Sequence, residues 1–198
     1  TMQAYSIASL IHVHDVGFCQ DGAAAIAAAV AAAFDPEATV DSVVEAATAF
    51  IPATSGAEMI QSIDRCLATA HEHPDYEGFR DRIYARREEF FHTIVCDSRE
   101  TVPLALALVL LAGGDVTKAV TYGANFGRDT DTIATMSGAI AGALGGVGSI
   151  PPQWVDKAKR VSSTDQDELA AELVAVALKK ADTERSARER LEGLLGDR

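Results

Sequence analysis

Gly127-Arg128-Asp129-Thr130-Asp131-Thr132 runs without a break into an uncharged, small-residue stretch from Ile133 to Gly146. Residues two apart on an α-helix point to nearly opposite sides, so Asp129 and Asp131 can share a ligand only from a turn. Gly127 can supply an unusual backbone angle just before them. Asp and Thr are favoured where a helix begins, because their oxygens accept its unpaired N–H groups. The stretch therefore predicts a turn followed by a buried helix, with glycines at 138, 142 and 146 spaced for close helix packing. Oxygen donors in a turn suit Mg²⁺, Mn²⁺ or Ca²⁺ rather than zinc. The competing reading has one Asp capping the helix and the other solvated.

The surrounding chain predicts more helices and no strand. Met2 to Ile11 has apolar residues near helical period and leads into His12. Alanine dominates 23–34, which predicts a helix whose small face lets neighbours approach. Further helices are expected at 40–50, and from a capping box at Ser55-Gly56-Ala57-Glu58 through about Ala70. The alternating charges of 75–91 predict a solvated helix face. Val102 to Ala112, with Pro103 in its first turn, and Val116 to about Asn125, capped by Asp115, deliver the chain to the Gly127 turn. Beyond Gly148, a short helix opens at Pro151-Pro152 with Trp154 as an apolar anchor, followed by helices at 165–181 and 183–195. The fold class is all-α, with one domain over 1–198 and 160–198 as C-terminal helices.

At 198 residues, 48% hydrophobic and 23% charged, the chain can bury a real core. A formal charge of -12 argues against general nucleic-acid or anionic-membrane binding. Cys19, Cys66 and Cys96 match neither a zinc motif nor a disulfide framework, which predicts a reducing, cytoplasmic setting. The uncharged run from Thr132 to Ile150 approaches membrane-spanning length, but its glycines, hydroxyls and adjoining aspartates predict a buried core helix instead.

Gly127 to Thr132, with Gly138 to Gly146, then Ile150-Pro151 and Trp154, resembles the C-terminal signature of the ADP-ribosylglycohydrolase family. Glu100-Thr101-Val102-Pro103-Leu104-Ala105 through Ala124-Asn125-Phe126 resembles the helix pair ahead of that signature. Leu10 to Ala24, with His12 and Gly17, resembles the family's Thr-His loop, although Ile11 stands where Thr is usual.

The resemblance implies an all-α fold with a binuclear Mg²⁺ or Mn²⁺ centre in a cleft for ADP-ribose. The implied reaction is hydrolysis of an N- or O-glycosidic bond of an ADP-ribosylated protein or related conjugate. Asp129, Asp131 and Thr132 match the family's C-terminal metal ligands, and His12 its substrate-contacting histidine; Gly127 and Arg128 fall in the same substrate-side turn. Arg128 could meet a phosphate or balance the two aspartates. The family's opening Gly-Asp, Thr-Asp-Asp and phosphate-loop segments do not occur in these residues, and no general base can be named among them. The expectation is a chain that supplies the C-terminal half of the site, with an N-terminal segment or partner chain completing it. The alternative is a non-catalytic ADP-ribose-binding or structural relative.

Overall fold

The computed structural model describes residues 1–15 and 17–196, with side chains described through 194. Among the described residues there are eleven α-helices, one 3₁₀ turn and no strand. The helices are α1 Met2–Ile11, α2 Phe18–Ala33, α3 Val40–Thr48, α4 Ala57–Glu72, α5 Tyr76–Ala85, α6 Arg87–Phe90, α7 Ser98–Leu111, α8 Val116–Phe126, α9 Thr130–Gly145, α10 Pro152–Val161 and α11 Gln166–Gly196. The all-α expectation holds. The chain divides into two compact units, Thr1–Pro151 and the stretch from Pro152 onward.

In the first unit the centre is α7. Ten consecutive residues from Glu100 to Val109 are buried, as expected of a helix that is apolar nearly all round. It begins at Ser98, a turn earlier than expected, because the Asp97 carboxylate accepts the Arg99 N–H at 2.9 Å and caps it. Pro103 therefore lies inside the helix and has no N–H to offer the Arg99 carbonyl. On one side of α7, the alanine face of α2 packs at full burial through Ala24, Ala25, Ala28 and Ala29, with Met59 and Ile63 of α4 and Val43 of α3. On the other side, Phe79 and Ile83 of α5 join Phe126 and Ile133.

One helix start and one charged segment differ from expectation. The cap of α4 is Gly56, not Ser55, and no side chain caps it. A Cβ there would collide with Ile51 and approach the Pro52 carbonyl to 3.0 Å, so the turn after Pro52 accepts only glycine at that point. The charged segment 75–91 breaks at Arg86 (φ -115°, ψ 34°) into α5 and α6. Asp75 caps α5 through the Gly78 N–H at 2.8 Å, and α5 turns Phe79 and Ile83 inward at zero exposure, so it is more than a solvated face.

The close helix approach is α8 against α9, but the glycine that permits it is Gly123. A Cβ on Gly123 would lie 2.7 Å from Ala134 Cα and 2.9 Å from its N, both backbone atoms that cannot step aside. At Gly138 the neighbour is only the tip of Val120, and at Gly142 nothing lies within 4 Å. Opposite outcomes are expected for the two alanine substitutions. Gly142→Ala should stabilise the protein by about 0.5–1 kcal/mol through helix propensity, whereas Gly123→Ala should destabilise it by about 1–3 kcal/mol through overpacking. Paired thermal unfolding curves measure both, and a destabilising Gly142→Ala would place a close neighbour at that glycine.

In the second unit, α11 runs unbroken for 31 residues where two helices were expected. No proline or glycine interrupts 166–192, and same-face ion pairs such as Arg188–Glu192 at 2.8 Å cross successive turns. Trp154 on α10 is at the surface, 36% exposed, rather than a buried anchor.

Candidate functional site

The Gly127 turn has the unusual backbone expected of it. Gly127 adopts φ 99° and ψ -180°, a combination open essentially to glycine alone, and Arg128 follows in the left-handed region at φ 64°. Asp129 is then the N-cap residue of α9, and Thr130, Asp131 and Thr132 form its first turn.

The carboxylate of Asp129 does not do what an N-cap carboxylate ordinarily does. It accepts no hydrogen bond from the helix it precedes, and its Oδ2 is buried with no hydrogen-bond partner. A buried anionic oxygen without a donor is strongly unfavourable, so the capping reading leaves this atom unexplained. A cation beside it would satisfy it. Asp131 is exposed on the first turn of α9, and Thr132 is partly buried beside it. Carboxylate and hydroxyl oxygens are the donors that hard divalent cations take, and Mg²⁺ in particular keeps several waters and needs few protein ligands. Among the described residues, no group of three or more His, Cys, Asp or Glu side chains is arranged to hold a metal ion. The oxygen set at this turn is accordingly sparse.

The turn is clamped from two directions. From α5, Arg80 Nε and the Tyr84 hydroxyl both donate to the Phe126 carbonyl, at 2.9 and 3.1 Å. From α7, Glu100, whose side chain has no exposure, receives Arg128 Nε at 2.7 Å and Nη2 at 2.8 Å. The His92 N–H also donates to Glu100, at 2.9 Å, and Arg128 Nη2 donates to the His92 carbonyl at 2.6 Å. The same guanidinium lies 4.7 Å over the Phe91 ring. Its hydrogen bonds to Glu100 raise the Arg128 pKa still further above an already basic range. The anion that Arg128 meets is thus Glu100, where the sequence suggested a phosphate or the two aspartates.

His12 and Thr132 come together in one cleft of about 450 Å³, whose walls also include Phe18, Cys96, Asp97 and Met136. Gly127, Arg128, Asp129 and Asp131 are not among its lining residues. His12 ends α1, and its Nδ1 bonds the Ala8 carbonyl at 2.7 Å. A carbonyl can only accept, so the neutral imidazole carries its proton on Nδ1 and leaves Nε2 as an acceptor. Hydrogen bonds from Arg99 hold Asp97, on the same wall, below the usual carboxylate range, and Arg99 in turn lies 3.9 Å over the Phe18 ring. The other cysteines play different parts: Cys19 lines this cleft, while Cys66 is fully buried among apolar neighbours, which pushes its thiol pKa up and keeps it unreactive.

Sequence reasoning passed over Glu100, Arg80 and Tyr84. Glu100 carried a signal, a lone carboxylate at the head of an otherwise apolar helix, since a buried charge requires a partner. Nothing in the spacing named Arg128 as that partner.

The family model described as ADP-ribosylglycohydrolase matches residues 2–184. Over 74 residues the chain is 43% identical to the uncharacterized protein YegU of Escherichia coli (strain K12), covering 37% of this chain and 22% of that protein. It is 48% identical over 44 residues to ADP-ribosylhydrolase ARH3 of Homo sapiens, covering 22% of this chain and 12% of that protein. Against ADP-ribosylhydrolase ARH3 of Danio rerio it is 44% identical over 52 residues, covering 26% and 14%. The matched stretches span less than a quarter of each of these relatives. No solved structure matches the chain. With the family model spanning both the Gly127 turn and the His12 cleft, the chain belongs to the ADP-ribosylglycohydrolase family.

Proposed function

We propose that this chain carries part of the active site of a cation-dependent hydrolase that cleaves an N- or O-glycosidic bond of ADP-ribose. The single observation that supports it most directly is the buried, unpartnered Oδ2 of Asp129 at the head of α9. Asp129, Asp131 and Thr132 would hold Mg²⁺ or Mn²⁺, one ion or a pair. The ions would supply positive charge that orients ribose hydroxyls and favours ionisation of a water.

The chain's own groups have separable tasks. Asp129 and Asp131 present their carboxylates at the N-terminal end of α9. Thr132 joins that turn to the cleft. His12, with Nδ1 committed to Ala8, offers Nε2 as an acceptor for a substrate hydroxyl. The apolar walls at Phe18 and Met136 exclude water from the bound group.

Calorimetry on the full chain tests this reading. Mn²⁺ is titrated first, and ADP-ribose then follows with Mn²⁺ present or removed by chelator. ADP-ribose is expected to bind at least about tenfold tighter with the cation, a difference of about 1.4 kcal/mol. Equal affinity in chelator would count against the cation-dependent reading. Cation-dependent binding without turnover of any ADP-ribosylated substrate would favour the non-catalytic, ligand-binding alternative.

A further inference from the structure

Arg128 is the one non-glycine residue at positive φ among the described residues, and its side chain is among the most tightly held in the first unit. A left-handed backbone crowds Cβ against the following carbonyl, so a long side chain adopts it only where its surroundings impose it. Here the imposing groups are identifiable. Both ends of the guanidinium fork meet the two oxygens of Glu100, at 2.7 and 2.8 Å. A third bond reaches the His92 carbonyl at 2.6 Å, and the plane lies over Phe91.

We propose that Arg128 is a positioning residue for the cation site, transmitting the fixed position of Glu100 on α7 to the carboxylate of Asp129. The proposal rests on the cation reading given above. Consecutive Cα atoms are about 3.8 Å apart, so the φ and ψ of Arg128 set the direction in which Asp129 leaves the turn. Glu100 is a rigid reference, because its side chain is wholly buried and the helix that carries it is buried from Glu100 to Val109. The Arg80 and Tyr84 bonds hold the other end of the turn, at Phe126. Asp129 therefore follows directly on two anchored points, Phe126 and Arg128, and its Oδ2 is buried without a hydrogen-bond partner. The two-point, planar geometry of the Arg128–Glu100 pair does the fixing. Lysine at position 128 would keep the charge but lose the fork.

The test compares wild type with Arg128→Lys and Glu100→Gln, using Mn²⁺ alone as the probe. Both variants retain a side chain that can hydrogen-bond across the pair, so both are expected to keep their helical circular dichroism. Their Mn²⁺ affinity by calorimetry is expected to fall about 10–100-fold, the range for lost outer-shell partners. Amide hydrogen exchange without cation is expected to quicken at Asp129 to Ile133 while amides of α7 keep their protection. A merely structural role predicts a different pattern, with protection lost throughout the first unit in proportion to the drop in melting temperature. That pattern, or Mn²⁺ affinity within twofold of wild type in both variants, overturns the proposal. A wild-type chain that takes up no Mn²⁺ defeats the cation reading itself, and the positioning role with it. The two failures are distinguishable, since one shows in the wild type and the other only in the variants. Should Arg128→Lys fail to fold, Glu100→Gln decides alone, because Gln keeps the shape of Glu and an oxygen for Arg128 Nε.

Discussion

Asp129→Asn is expected to erase the stabilisation that a divalent cation gives the wild type, and to do so without weakening the cation-free protein. A ligand that binds only the folded state at one hundred times its Kd adds about 2.7 kcal/mol. In a chain of this size that raises the melting temperature by about 5–11 °C. Asp129→Asn should show no such rise at the same Mn²⁺ concentration, with affinity reduced more than about 100-fold, beyond the effect expected of the outer-shell variants. Without cation the sign is the informative part. The wild type buries an anionic oxygen that no donor meets, so a neutral amide should leave the melting temperature unchanged or higher. A variant that melts several degrees lower in chelator would show that the carboxylate caps or braces the fold. A variant that keeps the Mn²⁺-induced rise would remove Asp129 from the ligand set.

Gly127→Ala is expected to be the most destabilising small substitution in the turn. Its backbone lies at φ 99° and ψ -180°, where an L-residue pays about 1–3 kcal/mol. The new Cβ would also run into the Tyr84 hydroxyl, with Tyr84 Cζ at 3.3 Å, which adds an overpacking penalty of about 1–3 kcal/mol. Together the loss should be about 2–6 kcal/mol, measurable by urea unfolding. Adding Tyr84→Phe separates the two contributions, because it removes the colliding oxygen and leaves the backbone angle as it was. Measured against Tyr84→Phe alone, which itself loses the hydrogen bond to the Phe126 carbonyl, the double variant should recover only the overpacking share, about 1–3 kcal/mol. Full recovery would mean that the backbone angle carries no penalty; no recovery would mean that the hydroxyl is not the obstacle.

What could be read from the residues followed local rules. The Gly127 turn, the Asp115 cap at the Lys118 N–H, the alanine face of α2 and the all-helical class depend on neighbours within a few positions. The errors arose where distant groups decided. The tight α8–α9 contact falls on Gly123, which has no repeat to announce it, while the regularly spaced Gly142 faces open space. Glu100 and Arg128 are separated by 28 positions, and only packing of α7 beside the turn makes them partners. Trp154 and the continuous α11 belong to the same class, since neither aromatic character nor a change in charge pattern says whether a surface will be covered. In the candidate site, the ligand types were legible and the anchoring of their turn was not.

The Arg80 and Tyr84 bonds to the Phe126 carbonyl bear on how this protein could be engineered. To anyone redesigning surfaces for solubility or crystallisation, α5 looks freely editable, with Glu77, Arg80, Asp81 and Arg82 alternating in sign along it. Arg80 belongs by sequence to that editable set, yet it is tied to the far end of the chain's central turn. A charge-swapped library that includes position 80 would therefore select against its own aim, recovering well-behaved proteins with a loosened turn. Restricting such a library to exposed positions 77 and 81 keeps the two properties independent.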